Sequence, residues 1–509
     1  MLARVRSGTV VGVEAIPVVV EVDLSTQLPG VMVVGLPDAA VKESSHRVRA
    51  GIKNSGFQFP TQRVTINLAP GDVKKEGPSF DLPIALGVLA ATGQLGRDLL
   101  EQYLCVGELA LDGSIRRING VLPMALQARE AGLRGVVVPA DNAAEAAVVE
   151  GLAVHPAHTL TEAAAFLAGR FDIAPVRLDL AAVFEQRRAY DVDFADVRGQ
   201  EHVKRALEVA AAGGHNILLI GPPGAGKTML ARRLPTIIPD LQLDEALEVT
   251  KIHSIVGLIG PGEALVATRP FRSPHHTISD SGLVGGGSYP RPGEVSLAHN
   301  GVLFLDELPE FKRTVLEVLR QPLEDGDVTI SRAVGSLTFP ARFMLAAAMN
   351  PCPCGYYTDP RRECKCTPGT IERYRARVSG PLLDRIDIHV EVPPVRYEEL
   401  AGPDGSMSSA AVRARVNRAR VVQRERLAAD GIYANAQMST RQTRRYAAPD
   451  DEAEALLRMA LTELGMSARA YDRILKVART IADLDGAESV SAACVSEAIQ
   501  YRTLDRALR

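Results

Sequence analysis

The segment GPPGAGKT, from Gly221 to Thr228, limits what this chain can fold into more than any other feature of its sequence. The apolar run NILLI precedes it and MLARRL follows it, so it joins a predicted buried strand to a predicted helix. Its glycines let backbone N–H groups close around phosphates at the helix N-terminus, where the helix dipole also favours anions. We expect Lys227 to reach the outer phosphates of ATP and Thr228 to bind Mg2+. The predicted nucleotide-binding residues here are Gly221, Pro222, Pro223, Gly224, Ala225, Gly226, Lys227, Thr228 and Met229.

Two further apolar runs are predicted to be strands that end in polar residues. GVLFLDEL contains Asp306, which would hold the magnesium shell, and Glu307, which would orient or polarise the attacking water. RFMLAAAMNP contains Asn350, a neutral amide that could contact the γ-phosphate or the lytic water, or could simply cap its strand. Their order after the P-loop favours ATP hydrolysis.

Arg385 lies in SGPLLDRIDIHVEV, between two leucines and the next predicted strand. An arginine offered across a subunit interface would neutralise charge in the transition state of phosphoryl transfer. The alternative is a surface ion pair with Asp384 or Asp387. The sequence of a single chain leaves both interpretations open.

The composition is that of a globular protein with several domains. A chain of 509 residues is expected to form about two to four domains. The formal net charge of −3 gives no global attraction to nucleic acid or membrane, so any polyanion would have to bind to local patches. No segment approaches about 18 uninterrupted apolar residues, and we predict a cytoplasmic protein without membrane contact.

The pattern of apolar runs divides the chain into three blocks of an α/β protein. Residues 1–170 alternate β-branched runs with Ala- and Leu-rich stretches, which predicts a mixed α/β domain. A polar connector at 171–192 leads to residues 193–395, where alternating strands and helices predict a largely parallel sheet. Residues 396–509 contain a Gly/Ser/Pro linker at 401–409 and are then helical. Within this block VRARVNRARVVQRERL is so rich in arginine that we expect a solvated helix face.

Four of the six cysteines form two C-x-C pairs separated by nine residues: Cys352, Cys354, Cys364 and Cys366. Four thiolates brought together can make a closed tetrahedral site, which suits Zn2+. A reduced loop without metal is the alternative. Because the group follows Asn350 directly, a metal here would brace the predicted strand and would have no catalytic role.

The motifs together resemble a known family. The order DFADVRGQEHVKRAL, GPPGAGKT, GVLFLDEL, AAAMNP, LLDRID and MSARAYDRILKVARTIADL resembles AAA+ ATPases of the magnesium-chelatase-like group. The most similar subfamily is ComM (YifB), over the whole chain. The resemblance implies adenine contacts near Val197 and Gly199, a sensor arginine at Arg469 in a C-terminal helical lid, and a ring, usually a hexamer, with ATP at each subunit interface.

The subfamily resemblance implies a DNA motor. Its expected activity is ATP-driven branch migration during homologous recombination and natural transformation, on single-stranded or branched DNA and with recombination proteins as further candidate partners. A remodelling ATPase like that of magnesium chelatase, which would drive a metal-inserting partner, is the alternative. An ATP-dependent protease is a third reading.

In related rings a hairpin and a long insert face the central channel, and the hairpin touches DNA. Residues 325–343 are predicted to form this hairpin, on which Arg332 would contact the DNA backbone. Lys312 and Arg313, which precede the hairpin in sequence, are further candidate contacts. A solvated turn is the alternative. The insert at 269–300 contains Gly285–Gly287, which favours a mobile loop over a packed element.

The first block resembles the protease domain of Lon. Ser79, in KKEGPSFDLPIALG, falls where Lon has its nucleophile. A serine needs a base within hydrogen-bond reach, and Lon uses a lysine after the position of Gly120. Here Leu122 and Met124 stand in that stretch, so we predict a non-proteolytic domain used for ring assembly, partner contact or DNA engagement. Ser79 would then cap the helix that begins near Phe80, although Lys74 or Lys75 could replace the missing base.

Overall fold

The computed structural model describes residues 2–26, 28–187, 190–287, 289–332, 335–357, 359, 361–395, 407–464 and 468–504. The predicted 401–409 linker therefore lies largely outside the described residues. The chain divides into two units. The first comprises Met1–Arg188 and Leu243–Ala267, and the second comprises Ala189–Gln242 and Thr268–Arg509.

The strands, in chain order, are β1 (Ala3–Val11), β2 (Glu14–Ser25), β3 (Gly30–Val34), β4 (Arg63–Ala69), β5 (Tyr103–Cys105), β6 (Glu108–Leu109), β7 (Ile115–Arg116), β8 (Gly135–Pro139), β9 (Ala153–Ala157), β10 (Ile217–Ile220), β11 (Phe271–Arg272), β12 (Gly285–Gly286), β13 (Arg291–Pro292), β14 (Val302–Leu305), β15 (Asp327–Arg332), β16 (Gly335–Pro340), β17 (Met344–Met349) and β18 (Ile388–Glu391).

The α-helices are α1 (Ala39–Asn54), α2 (Asp81–Ala91), α3 (Val121–Glu130), α4 (Ala143–Ala146), α5 (Leu160–Leu167), α6 (Leu180–Arg187), α7 (Glu201–Gly213), α8 (Lys227–Ala231), α9 (Leu234–Ile237), α10 (Leu243–Ile255), α11 (Asp280–Val284), α12 (Glu294–Leu297), α13 (Arg313–Glu317), α14 (Arg320–Asp325), α15 (Pro368–Arg375), α16 (Gly380–Leu383), α17 (Ser409–Leu427), α18 (Thr440–Tyr446), α19 (Asp451–Leu464), α20 (Ala468–Leu484) and α21 (Ala492–Gln500). Helix α6 lies within the predicted connector at 171–192.

The first unit is built on a mixed sheet of seven strands in the order β3-β4-β2-β1-β5-β8-β9. Pairs β1–β2 and β2–β4 are antiparallel, and the strands toward both edges pair in parallel. Alternate residues of β2, such as Val18, Val20 and Val22, are fully buried. They pack in one core with α2, all of whose residues are buried. The mixed α/β prediction for this block agrees with these elements.

The structure corrects the predicted role of Ser79. This residue lies in a short 3-10 turn, Pro78–Phe80, and α2 begins at Asp81 without a side-chain cap. Asp81 instead accepts two hydrogen bonds from Arg47, at 2.7 and 3.0 Å, which compensate for its burial. The helix is thus held by a buried ion pair, and the expectation that Ser79 caps it was wrong.

The residues considered as a base in place of the Lon lysine are either apolar or paired with other groups. Leu122 and Met124 are buried in α3. Lys75 is fully buried, its ammonium donates to the carbonyls of Pro70 and Val73, and burial lowers its pKa. Lys74 pairs with Glu76 at 2.5 Å. Each lysine that could have replaced the Lon base therefore has other partners.

Helix α10 belongs to the first unit although the chain before and after Leu243–Ala267 belongs to the second. The buried carboxylate of Glu145 joins it to its surroundings: one oxygen accepts from the Ser254 hydroxyl and from the Leu122 N–H (3.1 Å), and the other accepts from the Asn142 amide (3.1 Å). The predicted continuous range 193–395 includes this segment. Helical periodicity shows which face of a helix is apolar, but not which core that face joins.

The second unit contains a five-stranded sheet in the order β11-β14-β17-β10-β18, in which every pair is parallel. Strands β10, β14 and β17 are buried along their whole length, as expected for a parallel sheet covered on both faces. Helices α17, α19, α20 and α21 share a hydrophobic core with this region. The α/β class, the parallel sheet and the helical C-terminal region are therefore confirmed.

The arginine-rich helix α17 is not simply a solvated face. Arg415 forms an ion pair with the buried carboxylate of Glu208, whose oxygen lies 2.6 Å from Nε, and Arg426 donates to buried Asp483 at 2.6 Å. Arg420 donates to the Ala211 carbonyl at 3.0 Å. Several of these arginines therefore fasten α17 to α7 and α20, because buried carboxylates require paired cations.

Two antiparallel hairpins of the second unit lie against each other. The predicted hairpin forms as β15–β16, with Arg332 opposite Gly335 at its described end. In the insert, Gly285 and Gly286 pair with β13 and are packed, contrary to the expected mobile loop. A Cβ added to Gly285 would lie 2.7 Å from Ile330 Cδ1, and one added to Gly286 would lie 3.4 Å from Arg332 Nη2. The glycines therefore allow close approach of the two hairpins.

Across the part of the chain that the structure describes, no helix combines the length and apolar character needed to cross a membrane.

Replacing Glu145 by Ala should destabilise the packing of α10 within the first unit. The change leaves the Ser254 hydroxyl, the Asn142 amide and the Leu122 N–H without their shared acceptor, at a cost of about 3 kcal/mol in the free energy of unfolding. Urea denaturation measures the effect. The matched control is exposed Glu150, whose replacement by Ala should change stability by less than about 0.5 kcal/mol. Equal midpoints for the two variants would contradict the assigned role of Glu145.

Candidate nucleotide-binding site

The candidate site lies at the carboxyl ends of three neighbouring strands. Strands β14, β17 and β10 are adjacent in the parallel sheet, so the residues that follow them meet at one edge. The P-loop follows β10, Asp306 and Glu307 follow β14, and Asn350 follows β17. The fold thus brings together the motifs that the sequence predicted.

Lys227 is the central cation of the site. Gly226 before it has φ of 87°, a left-handed conformation that glycine adopts readily and that turns the chain into α8. The Lys227 ammonium donates to the carbonyls of Gly221 (2.6 Å) and Pro222 (2.9 Å) and to Asn350 Oδ1 (3.1 Å). Burial lowers the pKa of Lys227 to about 8. The predicted phosphate-binding lysine and the predicted sensor amide are therefore in direct contact.

Thr228 and Asp306 form the part of the site that fits Mg2+. The Thr228 hydroxyl donates to Asp306 Oδ2 at 2.6 Å, and Asp306 Oδ1 accepts from the backbone N–H of Glu307 at 2.9 Å. Mg2+ prefers a few oxygen ligands from the protein together with substrate phosphates and waters. A neighbouring hydroxyl and carboxylate beside the P-loop match that requirement.

Glu307 has a partner that the sequence analysis did not identify. Its backbone is left-handed, with φ of 53°, and its carboxylate lies 3.3 Å from His276 Nδ1. The His276 ring also packs edge-on against Phe311, with centroids 6.3 Å apart. His276 belongs to the segment between β11 and α11, remote from Glu307 in sequence, so only the folded sheet reveals the pair. The contact can orient the carboxylate that we expect to act on the attacking water.

Next to the segment predicted to contact adenine lies a second residue that the sequence analysis did not identify. Val197 is buried and Gly199 has φ of 63°. The next residue, Gln200, donates through its side chain to the carbonyls of Ala225 (2.9 Å) and Pro393 (2.6 Å). Gln200 therefore fastens the segment predicted to contact adenine to the P-loop.

The structure places both predicted arginines near the strand β18. Arg385 donates to the Pro381 carbonyl at 2.7 Å and pairs with Glu324. Its ion-pair partner in the chain is thus neither Asp384 nor Asp387. Arg469, on α20, is 71% exposed and lies 3.8 Å from Asp384. Its exposure leaves the guanidinium able to reach other partners.

The four cysteines converge as predicted from their spacing. The Sγ atoms of Cys352, Cys354 and Cys364 lie 3.3–3.7 Å from one another, and those of all four cysteines, with Cys366, lie within 4.8 Å. A tetrahedral Zn2+ site with Zn–S bonds of about 2.3 Å has sulfur–sulfur edges of about 3.8 Å. The backbone N–H of Tyr356 is the main cause that lowers the pKa of Cys354 to about 6, which favours the thiolate. These thiols could bind zinc.

The candidate DNA-contacting residues lie on two elements. Arg332 is exposed at the described end of β15, whereas exposed Lys312 and Arg313 mark the start of α13. Arg313 lines a cleft of about 410 Å³ together with Arg373 and Arg377 of the α15 region. The sequence analysis did not predict the last two arginines, because they follow the cysteine group and approach α13 only in the fold.

Comparison with known proteins identifies the family. The sequence model described as "Magnesium chelatase, subunit ChlI" matches residues 193–400, "Subunit ChlI of Mg-chelatase" matches 20–142, and "Magnesium chelatase, subunit ChlI C-terminal" matches 406–502. Competence protein ComM of Haemophilus influenzae is 45% identical over 518 residues, which span 100% of this chain and 99% of the relative. The chain belongs to the ComM (YifB) family of magnesium-chelatase-like AAA+ ATPases.

Other relatives agree with this membership. Uncharacterized protein YifB of Salmonella typhimurium is 45% identical over 510 residues, covering 100% of this chain and 98% of that protein. Lon protease of Chloroflexus aurantiacus is 35% identical over 99 residues, 19% of this chain and 12% of that protein. The Lon similarity at the N-terminus is thereby confirmed. Membership of the ComM family implies ATPase activity with ATP and Mg2+ as cofactors.

Replacing His276 by Ala should lower kcat for ATP hydrolysis about tenfold and leave KM within about twofold, because the contact orients Glu307 and not ATP. Steady-state ATPase assays measure both constants. His276→Asn retains a side-chain donor and should recover part of the lost rate.

Exposed His46 of α1 provides the control for this prediction, and His46→Ala should leave kcat close to that of the unmodified protein. A higher KM with unchanged kcat for His276→Ala would show that His276 does not orient Glu307.

Proposed function

We propose that the protein is an ATP-driven ring motor that acts on single-stranded or branched DNA and promotes branch migration during homologous recombination and natural transformation. The full-length identity of 45% to competence protein ComM carries this proposal. Its proposed location is the cytoplasm, where it would assemble into a homohexamer and meet DNA and recombination proteins.

The arrangement of the second unit supports a motor. Arg332 is exposed on a hairpin, and the neighbouring β12–β13 hairpin continues from the segment that contains His276. Because His276 contacts Glu307, a DNA strand that displaces the hairpins would shift the proposed catalytic carboxylate through this histidine. Phosphate contacts on such hairpins would be independent of base sequence, as translocation requires.

In the proposed site, Lys227 binds the outer phosphates, Thr228 and Asp306 hold Mg2+, and Asn350 contacts the γ-phosphate or the lytic water. Glu307 orients that water. Mg2+, when bound, neutralises charge on the phosphates. Arg385 and Arg469 would complete the site, Arg385 from the neighbouring subunit after leaving Glu324. The cysteine cluster would hold a structural Zn2+.

Magnesium-chelatase-like remodelling of a protein partner is the second candidate, because three family models described by that enzyme match this chain. Proteolysis is a weaker hypothesis. Leu122 and Met124 supply no base, and Lys74 and Lys75 have other partners.

The action of Arg385 across a subunit interface can be tested by mixing two inactive variants. Arg385→Ala should bind ATP without hydrolysing it, and Lys227→Ala should fail to bind ATP. In mixed rings a Lys227→Ala subunit can offer its intact Arg385 to a neighbour, so ATPase activity should recover. The double variant Lys227→Ala/Arg385→Ala is the control and should not restore Arg385→Ala. If ATPase activity recovered in neither mixture, the result would contradict the action of Arg385 on a neighbouring subunit.

DNA motor activity is tested with ATP and a synthetic four-way junction. We expect DNA to stimulate ATP hydrolysis and the junction to be resolved into duplexes. Arg332→Ala should lower junction resolution about tenfold while keeping the DNA-independent ATPase rate. The matched control is Arg458→Ala on α19, where the arginine is 79% exposed. An ATPase indifferent to DNA and unable to move the junction would overturn the proposal and favour the remodelling function.

A further inference from the structure

The loop that contains the cysteine cluster lies against the P-loop. Gly355, between Cys354 and Cys364, has φ of 86°, and a Cβ added to it would lie 2.5 Å from Pro223 Cδ. The Gly355 backbone is therefore packed directly on the ring of a P-loop residue. The Gly355 N–H donates to the Cys352 carbonyl at 3.0 Å, which ties this contact to the first cysteine.

The residues after the cluster return to the sensor strand. Arg375 donates to the Pro351 carbonyl at 3.1 Å. Pro351 directly follows Asn350, whose side chain accepts from Lys227 at 3.1 Å. Elements on both sides of the cluster thus contact Pro223 and Pro351, and Pro351 adjoins the acceptor of the phosphate-binding lysine.

Metal binding would close the segment between these contacts. The cysteines enclose about 15 residues, and joining its ends through a tetrahedral ion removes the chain entropy that favours an open loop. Metal loss would release that constraint at Gly355, beside Pro223, and at α15, beside Pro351. Part of the free energy of zinc binding would therefore stabilise the conformation of the nucleotide-binding site.

We propose that occupancy of the four-cysteine site by Zn2+ and binding of ATP at the P-loop are thermodynamically coupled, each strengthening the other. The proposal rests on the proposed zinc site and on the ATPase assignment, and it is independent of the DNA motor function. Its physical basis is a pair of contacts, Gly355 on Pro223 and Arg375 of α15 on Pro351, which directly follows Asn350. Coupling of two sites is reciprocal, so it can be measured as an effect of zinc on ATP binding and as an effect of ATP on zinc binding.

The first experiment measures zinc content and the Kd of a fluorescent ATP analogue on the full-length protein. The zinc-selective chelator TPEN removes zinc in the presence of excess Mg2+, and zinc is then added back. We expect about one zinc per chain, a Kd about tenfold weaker after chelation, and recovery on adding zinc. Purified protein without zinc would overturn the metal site itself. Zinc-free folded protein with an unchanged Kd would overturn the coupling alone.

The second experiment tests the contact without removing the metal. Gly355→Ala should retain zinc but weaken ATP binding about tenfold, because the new Cβ must displace Pro223 or the loop. Gly431→Ala is the control, since Gly431 is also left-handed (φ of 68°) but an added Cβ there meets no atom within 4 Å. Equal Kd values for the two variants would contradict the proposed route.

The reciprocal effect provides a third readout. Saturating ATP should lower the apparent Kd for zinc about tenfold in the unmodified protein, measured at equilibrium by competition with a chelator of comparable affinity. Lys227→Ala, which lacks the phosphate-binding ammonium, should show no such change. Equal zinc Kd values with and without ATP in the unmodified protein would overturn the proposal.

Discussion

The ammonium of Lys227 joins the ends of two central strands. It donates to the carbonyl that follows β10 and to the amide that follows β17. A buried cation must be surrounded by acceptors, because burial without them penalises the charged form, as the lowered pKa of Lys227 shows. The Gly221 and Pro222 carbonyls belong to the P-loop itself, but Asn350 is available only because β10 and β17 are parallel neighbours whose carboxyl ends coincide. The chemistry of the site thus depends on the order of the strands in the sheet.

The parts predicted correctly from the sequence are those whose signal is local. Strands β10, β14 and β17 are short apolar runs, and each is followed at once by the residues that form the site. Once such strands are parallel neighbours, Lys227, Asp306 and Asn350 need no further information to meet. The cysteine cluster was predictable for the same reason, since its ligands lie on one short segment.

The parts not predicted depend on contacts between distant segments. His276 with Glu307, Arg385 with Glu324 and Arg415 with Glu208 are side-chain pairs that no spacing rule connects. Ser79 was expected to cap a helix because serine commonly does so, yet the fold satisfies this region through Arg47 and Asp81. Gly285 indicated flexibility, whereas its missing side chain serves close packing on Ile330.

The segment of the first unit that resembles Lon meets α10 at the start of α3. The start of α3, where the resemblance to Lon predicts a base, contains Leu122, and its backbone N–H donates to Glu145. The same carboxylate oxygen accepts from Ser254 of α10. A lysine that acts as a base on a substrate needs solvent access and a neutral amine. A surface on which a helix packs needs buried polar groups that are all hydrogen-bonded. The residues at this position meet the second requirement, in agreement with the prediction that this domain is not proteolytic.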